Sequence, residues 1–153
     1  MQNNNTKTIL EELNLELDTL EINELNELLE DIETKTIEDI ILFINETDAQ
    51  DSAIEVIEDI LNKIDVEDDF YIEVDSKEYR FIHDRVIEDE FYNYNADLID
   101  ECYLSNIPET IKNYFNYDEF VSDCKYDGYA NTFSSWDGST EIELNNYTAF
   151  RTN

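Results

Sequence analysis

The chain contains few of the histidine, cysteine and glycine residues from which the common catalytic motifs are built. His83 is its only histidine, and a lone histidine directly after a predicted strand is more often structural than catalytic. The two cysteines, Cys102 and Cys124, do not have the Cys-x-x-Cys spacing of redox and zinc sites. With two glycines in the whole chain, a glycine-rich phosphate-binding loop is not expected either. The sequence therefore favours a protein that is not an enzyme.

One segment has part of the spacing of a calcium-binding loop. In DCKYDGYANTFS, the residues Asp123, Lys125, Asp127 and Gly128 occupy positions one, three, five and six of an EF-hand loop. Lys125 places a cation where an oxygen ligand is required, and Ser134 replaces the bidentate glutamate of position twelve. We therefore expect no calcium site, and the sequence implies no other metal or cofactor.

Carboxylates dominate the sequence instead. The chain has 40 acidic and 9 basic residues in 153, which gives a net charge of −31. The acids are spread along the chain, because residues 1–67 hold 20 acids and 3 bases and residues 68–153 hold 20 acids and 6 bases. The charge therefore belongs to the folded body and not to an acidic tail. It repels nucleic acids and anionic membranes, so we expect the partner to be a basic protein surface.

Several acids recur at helical spacing, which places like charges on one face. Glu90, Asp97 and Glu101 lie on one line of a predicted helix, with Asp89 and Asp100 beside it. Such rows destabilise a helix by a few tenths of a kcal/mol per pair, so selection for stability alone would interleave lysine. Duplex DNA carries one charge per about 1.7 Å, and the net charge of this chain corresponds to about 15 base pairs of duplex. The pattern is typical of a protein whose carboxylates stand in for phosphates.

The candidate phosphate mimics all lie on predicted helices in the second half of the chain. They are Glu88, Asp89, Glu90, Asp97, Asp100, Glu101, Glu109, Asp118, Glu119 and Asp123. With so many carboxylates, no pair can be chosen as a general acid and base.

Hydrophobic periodicity predicts the elements of the first half. Apolar residues at steps of three and four predict helices from Leu20 to Ile32, over residues 36–47 and over residues 51–64. The preceding MQNNN is polar and is expected to be frayed. The period changes at residue 69, where alternating residues predict a β-hairpin that ends near Ile82.

In the second half, residues 84–104 predict a long helix with Asp84 as its N-cap and an inward stripe made of Ile87, Phe91, Tyr94, Leu98 and Cys102. The segment ANTFSSWDGSTEIEL predicts a second hairpin that turns at Asp137 and Gly138. The predicted fold class is α+β, mostly helical, with two short β-hairpins and an elongated shape. The predicted division lies near residue 67, between an acidic helical region (1–67) and an α+β domain (68–153).

The segment IPETIKNYFNYDEFVSD, residues 107–123, concentrates aromatic residues beside the single proline of the chain. Pro108 fits the first turn of one short helix and Asn116 fits the N-cap of the next. Its apolar residues are expected to form a local core or a dimer seam that holds the acids at fixed spacing. These residues are Ile107, Pro108, Ile111, Tyr114, Phe115, Tyr117 and Phe120.

The segment LSNIPETIKNYFNYDEFVSDCKYDGY, residues 104–129, resembles the C-terminal region of the ArdA antirestriction proteins. The shared features are an Ile-Pro-Glu step, a helix that ends in Asn-Tyr-Phe, and an aromatic and acidic helix that leads to a final hairpin. The upstream EFYNYNADLIDECYL is similar to the acidic helix that precedes this region in the family. The resemblance covers about residues 85–145, and the chain departs from the family by beginning with helices instead of a β-rich domain.

The resemblance implies a phage or mobile-element protein that mimics bent B-form DNA. Such a protein occupies the DNA-binding cleft of type I restriction–modification enzymes as an elongated homodimer. The N-terminus has no signal-peptide pattern and no apolar stretch reaches about 18 residues, so we expect a cytoplasmic location in a bacterial host. Three alternatives stay open: an inhibitor of another nucleic-acid-guided defence system, an acidic adaptor that binds through its aromatic segment, and an enzyme with an unrecognised site.

Overall fold

Two β-hairpins join into one antiparallel sheet. The first consists of β1 (Asp69–Val74) and β2 (Lys77–His83), and the second of β3 (Glu141–Glu143) and β4 (Tyr147–Arg151). Strand β2 pairs with β4, so the strand order is β1-β2-β4-β3. This computed structural model describes residues 3–126, 128–134 and 140–153. The sheet and its surrounding helices confirm the α+β fold class.

The first hairpin lies where the alternation predicted it. Val74 pairs with Lys77, so Asp75 and Ser76 form a two-residue loop. Both have positive φ angles, 49° and 73°, as the type I′ turn requires. Here the turn forms without glycine, because a short polar side chain is tolerated in the left-handed region.

The second hairpin was predicted at the wrong place. The residues expected to form its first strand are a short helix, Ala130–Phe133, and the expected turn at Asp137 and Gly138 lies outside the described residues. The observed hairpin turns after β3, where the Leu144 N–H donates to the Tyr147 carbonyl at 2.9 Å. The helix forms because Phe133 is buried beside Phe150 with a ring distance of 5.2 Å, a contact that local alternation does not encode.

Four helices precede the sheet: α1 (Asn4–Glu12), α2 (Thr19–Leu29), α3 (Thr34–Thr47) and α4 (Ala53–Lys63). Helices α2 to α4 confirm the three helices that hydrophobic periodicity predicted, whereas α1 was not predicted. Its first turn is capped by Asn3, whose side chain accepts from the Thr6 N–H at 2.7 Å, and Ile9 is fully buried. From Asn3 onward the polar start of the chain therefore forms a helix cap and a first turn instead of the expected frayed end, and residues 1–2 lie outside the described residues.

The helices α1 to α4 cover one face of the sheet. Phe43 of α3 contacts Phe81 of β2 at a ring distance of 4.9 Å, and Phe81 stacks on Phe70 of β1 at 4.8 Å. These rings belong to one buried cluster that also contains Leu25 and Ile57 from the other helices. Residues on both sides of the predicted boundary at residue 67 therefore share a single core.

The opposite face of the sheet is covered by α5 (Asp84–Cys102), α7 (Tyr117–Tyr126) and α8 (Ala130–Phe133), while α6 (Glu109–Lys112) lies between α5 and α7 in the chain. Ile87, Phe91, Val121, Phe133 and Phe150 form this second core. Because neighbouring residues of a strand point to opposite faces, Phe150 packs here whereas Ala149 belongs to the first core. The two cores make the sheet the rigid centre of the molecule.

Asp39 is a buried carboxylate that joins α3 to the second hairpin. Its Oδ1 accepts from the backbone N–H and from the Nδ2 of Asn145, each at 2.9 Å. Burial raises the pKa of Asp39, the hydrogen bonds from Asn145 partly oppose this increase, and the neighbouring Glu38 and Asp65 add to it. The native protein therefore holds a proton on this group at a pH where the unfolded chain has lost it.

We expect Asp39→Asn to be more stable than the parent protein at neutral pH, because it keeps an acceptor oxygen for Asn145 and removes the buried charge. Since the native pKa is raised, the stability of the parent should fall relative to this variant as pH rises from about 4 towards 7. Urea unfolding across this range measures the difference. Asp39→Ala is the control, and it should lose about 1–3 kcal/mol because it removes both hydrogen bonds that Asn145 donates to this residue. A stability difference between parent and Asp39→Asn that does not change with pH would contradict this assignment.

Candidate acidic interface

Helix α5 carries six of the ten candidate phosphate mimics, and its start is fixed by His83. The Nδ1 of His83 accepts from the Arg85 N–H at 3.0 Å, so His83 is the N-cap and the predicted cap Asp84 is the first helical residue. The His83 ring also packs edge-on against Tyr147 at 4.8 Å. These contacts give the single histidine a structural role in positioning the helix.

The buried stripe of α5 agrees with the predicted one at Ile87 and Phe91 and differs from it further along the helix. Ile87, Phe91, Asn95 and Ile99 are buried, whereas the outer part of the predicted stripe is exposed at Tyr94, Leu98 and Cys102. Asn95 can be buried because its Nδ2 donates to the Phe91 carbonyl at 2.9 Å and to Thr132 Oγ1 at 3.3 Å. Because Tyr94, Leu98 and Cys102 lie outside the buried stripe, α5 is rotated about its axis relative to the prediction. This rotation determines which acids of α5 face solvent.

The aromatic segment after α5 divides into a packed part and an exposed part. Phe115 contacts Tyr117 at a ring distance of 4.9 Å and Phe120 at 6.0 Å, and all three side chains are half-buried. Asn116 caps α7, as predicted, by accepting from the Glu119 N–H at 3.1 Å. The other predicted seam residues are exposed: Ile107, Pro108, Ile111 and Tyr114. These four are the predicted seam residues that are most accessible to a partner.

Six of the ten candidate acids have local partners. Three form ion pairs: Glu88 with Lys125 at 2.8 Å, Glu90 with Arg80 at 3.8 Å, and Glu109 with Lys112 at 3.7 Å. Two accept hydrogen bonds, Asp100 from Tyr117 and Glu119 from Asn116, and Asp118 lies close enough to the Tyr92 hydroxyl to contribute to the raised pKa of Tyr92. These contacts connect α5 to β2 and α7, so part of the predicted charge holds the second helical layer together.

The remaining four candidates are exposed: Asp89, Asp97 and Glu101 of α5, and Asp123 of α7. Within the part of the chain that the structure describes, none of them forms an ion pair or a side-chain hydrogen bond. Asp97 and Glu101 are one turn apart, with a rise of about 6 Å between them. We refer to these four side chains as the open carboxylates, since they are the candidates that can accept hydrogen bonds from a partner.

The contact between Tyr117 and Asp100 fixes α7 on α5. The Tyr117 hydroxyl donates to Asp100 Oδ1 at 2.5 Å, and this hydrogen bond, with some desolvation and the Asp100 charge, raises the pKa of Tyr117 to about 12. Ionising the phenol would place two negative charges at hydrogen-bond distance, which explains the direction of the shift.

We expect Tyr117→Phe to lower the thermal unfolding midpoint, because it removes the hydrogen bond between α7 and α5 and leaves the aromatic ring in place. The same variant should remove the most alkaline transition from a spectrophotometric tyrosine titration. The matched control is Tyr114→Phe, since Tyr114 is 90% exposed, and it should change neither the midpoint nor that transition. An unchanged titration curve for Tyr117→Phe would refute the pKa assignment.

Acids of the first helical group, which consists of α1 to α4, lie close together in a way that the sequence did not indicate. Glu21 and Glu24 of α2, together with Asp51 and Glu55 near the start of α4, line an open cavity of about 490 Å³. The row at Glu24, Glu27 and Glu30 was visible in the sequence, but its proximity to α4 follows from helix packing. The acidic surface therefore extends over both helical groups.

A second group of acids lies where α5 meets the second hairpin. Asp84, Glu88, Glu141 and Glu143 line a cavity of about 370 Å³. Burial raises the pKa of Glu141, and the charge of Glu143 adds to this effect. The alternation in TEIEL is the sequence signal that places Glu141 and Glu143 on the same face.

The acids that line these two cavities do not come together as a metal site. In residues 3–126, 128–134 and 140–153, no group of three or more His, Cys, Asp or Glu side chains could hold a metal ion. Asp127, which completes the calcium-like spacing, lies outside the described residues. Among the described helices, none is both long and apolar enough to cross a membrane.

Comparisons with known proteins found no matching family model, no matching curated protein and no matching solved structure. The resemblance to the ArdA proteins therefore stays a prediction. The charge of the protein and its arrangement on the helices are the basis for a proposed function.

Proposed function

We propose that the protein is a DNA-mimic inhibitor that occupies the DNA-binding cleft of a host defence enzyme, with type I restriction–modification enzymes as the first candidates. The observation that carries this proposal is the open carboxylates, displayed on two helices of a body with a net charge of −31. Ion pairs among the described residues involve Asp68, Asp69, Glu88, Glu90 and Glu109. Most of the negative charge is therefore available to an approaching basic surface.

Inhibition in this mechanism is stoichiometric and involves no catalysis. Lysine and arginine side chains of the cleft donate to carboxylate oxygens in place of phosphate oxygens, which gives charge-assisted hydrogen bonds. The negative field of the protein steers it towards the cleft and increases the association rate. Because α5 is anchored to the sheet through Phe91 and Ile87, little ordering entropy is lost when its acids engage the cleft. The same mechanism applies to another nucleic-acid-guided defence nuclease, and the proposed location is the bacterial cytoplasm.

An acidic adaptor is the second candidate, and the exposed aromatic segment favours it. Tyr114 is 90% exposed and Ile111 is 57% exposed, and Ile107 in the same segment is also exposed; a group of exposed apolar side chains is the kind of surface that binds partner proteins. Tyr117 is less suitable for this role because its hydroxyl is bonded to Asp100. An adaptor would depend on Tyr114 and tolerate changes of charge.

A competition experiment tests the proposal. A fluorescent duplex that carries the recognition sequence is bound to a type I restriction–modification complex, and the protein is titrated against it at two salt concentrations. We expect competitive displacement that weakens steeply at higher salt, since the contacts replace those of phosphates. Binding that is insensitive to salt and leaves the duplex bound would refute mimicry of DNA on this enzyme. Loss of such binding in Tyr114→Ala would support the adaptor.

A further inference from the structure

Strand β1 is an edge of the sheet, and its outer side has open backbone groups. Val74 and Lys77 close the turn of the hairpin, so the paired residues alternate from this point between hydrogen-bonded and non-hydrogen-bonded positions. The N–H and C=O groups of Asp69, Tyr71 and Glu73 consequently point away from β2. The contact from Lys63 agrees with this geometry, because its Nζ donates to the Tyr71 carbonyl from outside the sheet at 2.8 Å.

Few contacts protect this edge. In the part of the chain that the structure describes, Lys63 is the only group that donates to the outward carbonyls of β1, and the three outward N–H groups have no acceptor. The strand is six residues long, and neither a proline nor a bulge interrupts its pairing with β2. Edges of this length normally carry such a feature, because open backbone groups pair with other chains.

The side chains at the edge determine which chain could pair there. Phe70, Ile72 and Val74 are buried in the first core, whereas Tyr71 is 46% exposed and Glu73 is exposed on the opposite face. A second copy of the protein that paired with β1 would bring its own acidic residues close to the acids of this strand, Asp69 and Glu73. Like charges on neighbouring strands are destabilising. The acids therefore disfavour pairing of the protein with itself and favour a strand of opposite charge.

We propose that the β1 edge binds an extended basic segment of a partner protein, which adds to the sheet as a fifth strand. Backbone hydrogen bonds to Asp69, Tyr71 and Glu73 supply the affinity, and lysine or arginine at alternate positions of the segment supplies the selectivity. The basic side chains lie on the same face as Glu73, and small apolar side chains lie on the other face. This proposal does not depend on the proposed inhibition of a DNA-binding enzyme.

The test uses the full-length protein and two synthetic peptides. The first peptide alternates lysine and valine over nine residues, and the second has the same sequence with three alternate backbone nitrogens methylated on the side that would face β1. Both carry the same charge, but the second lacks three donors, so we expect it to bind about 100-fold more weakly. In hydrogen exchange followed by NMR, the first peptide should slow exchange of the Asp69, Tyr71 and Glu73 amides by about tenfold or more.

Variants of β1 and α4 give independent readouts. Tyr71→Pro removes an outward N–H without removing a bond to β2, so the protein should fold and bind the first peptide weakly; Tyr71→Phe is the control and should bind it as the parent does. Lys63→Gln removes the cation that donates to the outward Tyr71 carbonyl and should strengthen binding. Equal affinity for both peptides, or binding without slower exchange at β1, would show that only charge attracts the peptide. A dimer with protected β1 amides would identify a second copy of the protein as the occupant. Any one of these three outcomes would overturn the proposal.

Discussion

Neutralising the open carboxylates together, by Asp89→Asn, Asp97→Asn, Glu101→Gln and Asp123→Asn, should weaken inhibition of a DNA-binding target by roughly 100- to 1000-fold. The estimate takes about 1 kcal/mol for each exposed charge contact, and about 1.4 kcal/mol corresponds to a tenfold change in affinity. Each single substitution should change the affinity by about fivefold at most, because the charge is spread over many sites. The inhibition constant, measured by displacement of a fluorescent duplex, tests the prediction.

The thermal stability of the quadruple variant should increase although its inhibition of the target weakens. Removing four negative charges from a chain with a net charge of −31 lowers its self-repulsion, so the quadruple variant should unfold at a higher temperature than the parent. A variant that is more stable and inhibits less cannot owe its defect to unfolding. The slope of log affinity against log salt should also become shallower, since fewer contacts with the basic cleft remain.

The matched control neutralises four exposed acids of the first helical group: Glu24→Gln, Glu27→Gln, Glu55→Gln and Glu58→Gln. This control removes the same net charge from the other side of the sheet, so the overall electrostatic field of the protein changes by a similar amount. The acids of α5 and α7 are unchanged. Inhibition should fall much less than in the first variant. An equal loss in both variants would show that net charge matters and α5 does not, and no loss in either would contradict mimicry of DNA.

The helical pattern of α5 shows how far the sequence could predict the fold. Periodicity placed Ile87, Phe91, Tyr94, Leu98 and Cys102 on the inward stripe, and the first two of these are buried. Beyond Phe91 the structure buries Asn95 and Ile99 instead, and Thr132, 37 residues away, provides a hydrogen-bond partner for Asn95. Periodicity therefore predicted the helix, while its rotation depended on a contact between distant elements.

The same limit applies to the candidate acids. The pair of Glu109 and Lys112 lies three residues apart and follows from helix geometry. The pair of Glu88 and Lys125 joins residues 37 positions apart, and only the packing of α7 on α5 brings them together. Composition predicted that the surface would be acidic, but the separation of open carboxylates from paired ones required the tertiary structure.

Residues 68–153, expressed without the first four helices, should not fold on their own. Removal of α1 to α4 would expose Phe70, Ile72, Val74, Tyr79 and Phe81, which are buried in the first core. Each such side chain contributes about 1.5–3 kcal/mol when it is buried, so together they approach the whole stability of a typical domain, about 5–15 kcal/mol. Circular dichroism during thermal unfolding should show no cooperative transition for the fragment, whereas the full chain should show one.

Residues 1–67 are the natural control, because their apolar stripes are the other half of the same core. Mixing the two fragments should restore a cooperative transition, and added salt should promote the association since both fragments are strongly acidic. A cooperative transition in residues 68–153 alone would mean that the change of pattern near residue 67 marks an independent domain. In that case α5 and α7 would not need the first core for their rigidity, and the open carboxylates could be tested on the smaller fragment.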